Sequence, residues 1–378
     1  MKVTFPHMGN LYICIKALLD DLGVDYIIPP FASKKTLELG TRHVPECACL
    51  PLKITIGTLI EAHDLGADTV LMAGGCGPCR FGYYCEMYRE ILNDLGLNIE
   101  VITLEPPRGH IREYIGQIGR LTGSFNLYKV LKAIKNTTQI AIMVDELERQ
   151  ACRIRPRELV KGSVNKIYTD FQKKVLEAEG SREIKAMIRD TARKLDEVKI
   201  DEKANPLRVG IVGEIYTTID FFTNFNIQAR LGSMGVETHR YVTISEWITE
   251  HIIKNGLKLP RKMDFAKAAK PYLGKMIGGH AVETVGNSIL YARQGFDGVI
   301  QIYPLTCMPE IVAESILPAV ERDFNIPILT LIIDEMTGEA GYLTRIEAFI
   351  DLLYRRREKG SIYGKYGKYN GRYILSGN

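Results

Sequence analysis

Residues 67–85 read ADTVLMAGGCGPCRFGYYC. The opening seven form a short run with apolar and β-branched residues that stops at Gly74 and Gly75 and gives way to a cysteine loop. Such a run, bounded by glycines, reads as a buried strand of a parallel sheet. Its flanks fit. ITIGTLIEAHDLG (54–66) has helical spacing before it, a helix follows over Tyr84–Leu95, and LNIEVITLE (97–105) is the next strand. Upstream, residues 2–5 read as a strand, Leu11–Leu22 as an amphipathic helix stopped by Gly23, and VDYIIPP (24–30) as a second strand. Short β-rich runs alternating with helices of about 12 residues indicate a parallel sheet covered by helices.

The pattern changes over 111–205. QIAIMVDELERQ (139–150) is helical, and 164–200 is charged with apolar residues at helical spacing. This predicts a long helix or helix pair joining two lobes, with a solvated surface. At 206 the first pattern returns. PLRVGIVGEIY (206–216) runs from a strand into a Gly–Glu turn, FTNFNIQARLGSMG (222–235) is a helix with a glycine stop, and VETHRYV (236–242) is a strand. GFDGVIQIYPLTC (295–307) and IPILTLIIDEMTGEAG (326–341) are two further strand-and-loop units. The chain therefore divides into an α/β cysteine-rich lobe (1–110), a helical connector (111–205), a second α/β lobe (206–355) and a Gly-, Tyr- and Lys-rich tail (356–378). The tail reads as a flexible end or a subunit contact.

Composition narrows the class. A length of 378 residues suits two domains or three. With 46% apolar and 25% charged residues the chain is neither disordered nor a coiled coil. Mean hydropathy is −0.05, and no run nears the roughly 18 apolar residues of a membrane span. The 49 basic residues against 45 acidic ones leave +4, too little to argue for nucleic acid. MKVTFPHMGN lacks the charged and then apolar stretches of a secretory signal. A reducing cytoplasm is the expected compartment, where clustered cysteines point to metal or redox chemistry.

Five of the eight cysteines fall between 47 and 85, spaced C-x-C (Cys47, Cys49) and then C-x2-C-x5-C (Cys76, Cys79, Cys85). Closely spaced thiolates can converge on one metal centre, and an iron–sulfur cluster suits them best. Structural zinc and a redox CxxC are the competing readings; five local thiols exceed the four that zinc takes. Gly74, Gly75 and Gly77 would let backbone approach a bulky cluster. Cys14 sits at apolar spacing in a helix and reads as core, and Cys152 lies in a charged stretch and reads as incidental. Cys307 ends a buried strand and is placed to reach a cleft.

In parallel α/β sheets ligands bind beyond the carboxyl ends of strands. The distinctive texts sit there: PHMGN with His7, VGEIYT with Glu214 and Tyr216, YPLTC with Cys307, and DEMTGEAG with Glu339. GGHAVETVG carries Gly278, Gly279 and His280 into a helix start. If the lobes face each other these loops converge, setting Cys307 opposite the N-terminal thiols. His280 is either a proton donor or a helix cap, and Glu214 and Glu339 either relay protons or accept helix N–H groups. There is no G-x-G-x-x-G, P-loop or G-x-S-x-G text.

Five texts carry a family resemblance: ECACLPLK (46–53), MAGGCGPCRFGYY (72–84), VGEIYT (212–217), GGHAVETVG (278–286) and DEMTGEAGYLTRIEAF (334–349). Together they resemble the 2-hydroxyacyl-CoA dehydratase and benzoyl-CoA reductase superfamily. More narrowly they are similar to its CoA-protein activase-related branch, near the double-cubane cluster proteins. The resemblance implies two Rossmann- or flavodoxin-like lobes in a homodimer, with an iron–sulfur cluster in the inter-lobe cleft. It also implies low-potential electrons from a separate ATP-hydrolysing activase of the acetate-kinase/actin type, which carries its own 4Fe–4S cluster, and a small-molecule substrate. Dehydratase subunits hold a 4Fe–4S cluster through three cysteines, and double-cubane proteins an 8Fe–9S cluster through three on each cubane. Setting Cys14 and Cys152 aside leaves Cys47, Cys49, Cys76, Cys79, Cys85 and Cys307. Six matches three plus three, which favours the 8Fe–9S centre over 4Fe–4S. On that reading His280, Glu214, Tyr216 and Glu339 are the candidate proton donors. A dehydratase-like enzyme, a non-catalytic electron or cluster carrier, and a zinc-stabilised binding protein are the alternatives.

Overall fold

A computed structural model of the protein describes residues 1–73, 80–104, 116, 119–123, 126–250 and 263–365. The chain forms two compact units, Met1–Thr337 and Gly338–Asn378. The first unit is α/β and holds two parallel sheets of three and four strands.

The first sheet runs in the order β1 (Val3–Thr4), β2 (Thr69–Ala73), β3 (Glu100–Leu104). Helices α1 (Leu11–Leu22), α2 (Lys34–His43) and α3 (Leu50–Asp64) connect β1 to β2, and α4 (Tyr84–Asp94) connects β2 to β3. The strand expected over 24–30 is reduced to one parallel bridge between Val3 and Tyr26. Pro29 and Pro30 follow at once and have no N–H to give a ladder. Helix α3 begins four residues earlier than its spacing suggests, because Pro51 is tolerated in a first turn. Its packing on α2 is backbone to backbone. A Cβ on Gly40 would lie 1.6 Å from the Lys53 carbonyl oxygen, and one on Gly57 would lie 1.9 Å from that of Thr36.

The segment expected to be a helical connector contains α5 (Leu127–Ile154), α6 (Ser163–Lys174) and α7 (Gly180–Asp196). It is less solvated than its charge suggests. Ile140, Val144 and Leu147 of α5 and Ile184 and Ile188 of α7 share one apolar core with Ile13 and Ala17 of α1 and with Phe5. Most charged residues lie on the outer faces of these helices, the usual amphipathic solution; Asp145 and Glu148 of α5 are the inward exceptions, bonded to the Ser245 N–H and to Arg240.

The second sheet comprises β4 (Leu207–Gly213), β5 (Val236–Arg240), β6 (Gly298–Pro304) and β7 (Ile328–Ile333), in the order β5-β4-β6-β7 and all parallel. Every residue of β6 is buried, which explains its continuous apolar run. Between β4 and β5 lie the short helices α8 (Ile215–Ile219) and α9 (Ile227–Ser233). The helix expected over 222–235 shrinks to α9, because Phe225 and Asn226 hold φ of 52° and 53° and interrupt it. Helices α10 (Ile244–Trp247), α11 (Asp264–Ala269) and α12 (Ala281–Arg293) precede β6, and α13 (Met308–Phe324) joins β6 to β7. Gly213 is in register with Ile302, so β4 and β6 end side by side. From there the chain leaves in opposite directions, β4 to β5 and β6 to β7. Their carboxyl ends therefore flank the switch point at which open α/β sheets bind ligands.

The second unit contains α14 (Glu339–Lys365). This helix continues past residue 355, where the second lobe was expected to give way to the tail. Residues 366–378, the rest of that tail, lie outside the described residues. Among the described residues no helix is long and apolar enough to cross a membrane.

Candidate functional site

The switch point is built from two loops. After β4, the Glu214 carboxylate accepts the Tyr216 and Thr217 N–H groups, both at 2.9 Å, and caps α8. Burial pushes this carboxyl up, while the two N–H donors pull it back. The geometry thus gives Glu214 a capping role. Tyr216 is fully buried and its hydroxyl has no hydrogen-bond partner among the described residues. Burial pushes its phenol well above the ordinary value, and Asp220 and Tyr88 act in the same direction.

After β6, the turn 304–307 is closed by the Cys307 N–H on the Pro304 carbonyl at 3.0 Å. Thr306 takes φ 68° there. A β-branched residue in that region is a backbone outlier, and such strain collects at functional sites. Cys307 is buried and stands at the N-cap of α13. The GGH turn lies against the same first turn. Gly278 and Gly279 have φ of 93° and 53°, and a Cβ on Gly279 would come within 2.7 Å of Pro309 Cγ. His280 caps α12 only with backbone: its carbonyl accepts the Thr284 N–H at 2.7 Å, and its half-buried side chain makes no capping bond.

Loops of the first sheet meet these loops within the same unit. Arg80 donates to the Cys47 carbonyl at 3.1 Å, and to the Thr306 carbonyl and hydroxyl at 2.5 and 3.2 Å. The Thr306 hydroxyl also donates to the Cys47 carbonyl at 3.4 Å. Lys53 on α3 pairs with Glu335, just past β7, at 2.5 Å. The Gly9 N–H, in the loop after β1, reaches Asp220 at 3.4 Å.

Of the expected metal ligands, Cys47 is exposed, Cys49 is half-buried, and Cys85 and Cys307 are buried. The Cys49 sulfur meets the Tyr84 hydroxyl. Cys85 is the second residue of α4 and packs in an apolar cluster with Val70, Met72, Tyr84 and Tyr88. Cys76 and Cys79, with Gly74, Gly75 and Gly77, lie outside the described residues. Among the described residues no three His, Cys, Asp or Glu side chains are placed to hold a single metal ion. In kind, the thiols at this face suit a soft, iron–sulfur centre better than a hard cation. Cys14 is buried in the core and Cys152 is buried on α5, and burial pushes both thiols up. That makes them poor nucleophiles and poor ligands. Glu339 belongs to the second unit, as the exposed first residue of α14.

Four contributors to this face are absent from the expected set. Lys53 stands alone in the apolar text LPLKITIGTLI, and a buried lysine needs a partner. Arg80 follows the second cysteine of GCGPC directly. Thr306 gives no sequence signal. Glu310 does give one: it lies three residues after the N-cap Cys307, the acidic position of a capping box. It is fully buried, and Thr284 and Gln301 each donate to it at 3.0 Å. Burial pushes its carboxyl up to about 8, against these two donors.

Compared with protein-family models and with curated proteins, the chain matches none. Fold and site together define an α/β protein with two parallel sheets, in which cysteine-bearing loops of the first sheet meet a strained Thr–Cys turn at the switch point of the second.

Proposed function

We propose that the chain is an iron–sulfur protein of the 2-hydroxyacyl-CoA dehydratase and benzoyl-CoA reductase superfamily, and acts as a reductase component. Low-potential electrons arrive from a separate ATP-hydrolysing activase, and a small substrate is reduced between two Rossmann-like lobes. One observation carries this reading. Cys47, from the first sheet, is bonded through Arg80 and Thr306 to the turn that presents Cys307, at the switch point of the second. In sequence, β2 ends at Ala73, and Cys76 and Cys79 lie between it and Arg80.

On this reading Cys47, Cys49, Cys76, Cys79, Cys85 and Cys307 hold an 8Fe–9S double cubane. A cluster so bound supplies one-electron transfer at low potential. The Tyr84 hydroxyl sits at the Cys49 sulfur and tunes its basicity. Glu214 is committed to its helix, which leaves His280 as the better-placed proton donor, in the turn packed on the first turn of α13. The burial of Cys85 among apolar residues favours a second reading, a smaller 4Fe–4S centre in a dehydratase-like enzyme.

Purification without oxygen, iron and acid-labile sulfide analysis, and EPR after reduction test the proposal. About eight irons per chain supports the double cubane, and about four the smaller centre. A colourless protein holding zinc alone would overturn both. Cys307→Ala is expected to lose iron; unchanged iron and spectra would remove Cys307 from the ligand set.

A further inference from the structure

Away from the cysteine face, a groove of about 750 Å³ opens between the end of α1, the first half of α5 and the start of α7. Lys129, Lys132, Arg182, Lys185 and Arg189 line it, and Tyr128 stands beside them, 75% exposed. Asp21 and Glu179 are the acidic residues of the lining. Asp21 is already engaged, by Asn136 at 2.7 Å and by the Ser181 N–H at 3.2 Å. The first two N–H groups of α7, those of Gly180 and Ser181, are taken by Asp20 and Asp21. The side-chain cations differ. Lys129 donates to the Leu22 carbonyl at 2.8 Å, and Lys185 to the amide oxygens of Asn136 and Gln139 at 2.8 and 2.7 Å. Those acceptors are neutral and cancel no charge. Lys132, Arg182 and Arg189 make no hydrogen bond or ion pair among the described residues. Desolvation by burial, and then the positive charges of Arg189 and Lys135, hold the Lys185 amine below its ordinary value, against the pull of Asp21. The groove is thus a cationic concavity short of negative charge, in the volume range of small-ligand sites.

The geometry points to a binding site for a compound carrying adjacent phosphate groups, held by Lys132, Arg182 and Arg189. Three uncommitted cations at one groove match a multiply charged anion better than a single carboxylate. The planar guanidinium forks of two arginines suit paired phosphate oxygens. Tyr128 offers a flat face on which a nucleoside base can stack. The shared chemistry is the pyrophosphate group, and its source is either free pyrophosphate or a nucleoside diphosphate. This site does not depend on the metal centre proposed above.

Isothermal titration of the full chain at low salt tests it, with inorganic pyrophosphate, ADP and inorganic phosphate as probes. Saturable one-site binding of pyrophosphate is expected, about tenfold or more weaker after Lys132→Ala or Arg182→Ala, since each substitution removes a charge-assisted hydrogen bond. These residues are exposed, so thermal melting is expected to show the variants folded. ADP binding more tightly than pyrophosphate, with the gain lost in Tyr128→Ala, identifies a nucleoside diphosphate. ADP binding no tighter identifies free pyrophosphate. The inference falls if pyrophosphate does not saturate the protein at millimolar concentration, if phosphate binds as tightly as pyrophosphate, or if an Arg182→Ala/Arg189→Ala variant binds unchanged.

Discussion

Lys53 and Glu335, 282 positions apart, form an ion pair at 2.5 Å that ties helix α3 of the first sheet to the loop after β7 of the second. The lysine is 3% exposed and the glutamate 26%. Such a pair is unequal in its failure. Removing the carboxylate strands a buried ammonium, whereas removing both charges leaves nothing unpaired. Glu335→Gln is expected to cost roughly 1–3 kcal/mol, below the full penalty of a buried pair because Glu335 is partly solvated. Lys53→Met with Glu335→Gln is expected to recover most of that loss. Urea denaturation of the wild type and the two variants measures it; a double variant no better than Glu335→Gln alone would show that the pairing is not what matters.

The Thr306 turn makes a second prediction. Its φ of 68° suits Asn better than a β-branched residue, and its side chain also accepts from Arg80. Thr306→Asn keeps an acceptor and relieves the backbone, with an expected gain of roughly 0.5–1 kcal/mol. Thr306→Val keeps the strain and loses the acceptor, with a comparable expected loss. Thermal melting should rank Asn above Thr and Thr above Val. A reversed order would mean that the turn is not strained.

How much of this was legible in the sequence follows from locality. Helix α1 has its expected bounds because its apolar spacing and Gly23 both act within one or two turns. Strands β4 and β6 are readable because burial on both faces demands continuous apolar runs. VDYIIPP has strand composition, yet two prolines cut its pairing to one bridge. FTNFN has helical spacing, yet Phe225 and Asn226 turn left-handed. The cysteine motif is visible as spacing. The Arg80–Thr306 bonds span 226 positions and the Lys53–Glu335 pair 282, and no local rule connects residues so far apart.

Glu310 gives a signed pH dependence. Its carboxyl is pushed up to about 8 in the folded chain and titrates near 4.5 when unfolded. Below 4.5 both states hold the proton. From there to about 8 only the folded state does, so this contribution to stability is lost as pH rises, by up to about 1.4 kcal/mol per unit. Glu310→Gln carries no titrating proton and should lack that slope. Denaturation from pH 5 to 8 is therefore expected to show the variant gaining on the wild type as pH rises. Parallel curves would mean that Glu310 is ionised in the folded protein.

His7 predicts the opposite sign at acid pH. Its ring lies 4.6 Å from that of Phe31 and 5.5 Å from that of Tyr12, centroid to centroid, and its Nε2 has no hydrogen-bond partner among the described residues. Burial holds the imidazole down to about 4, against 6.5 in the unfolded chain. Between those values the unfolded state binds a proton that the folded state refuses, so stability present above pH 6.5 drains away as pH falls towards 4. His7→Phe keeps an aromatic ring against Phe31 and Tyr12 and removes the titration. Its stability relative to wild type should rise by up to about 1.4 kcal/mol for each unit below pH 6.5, read by denaturation at constant ionic strength. Acid limbs that run parallel in the two proteins would place His7 in contact with solvent or with a partner that accepts its charge.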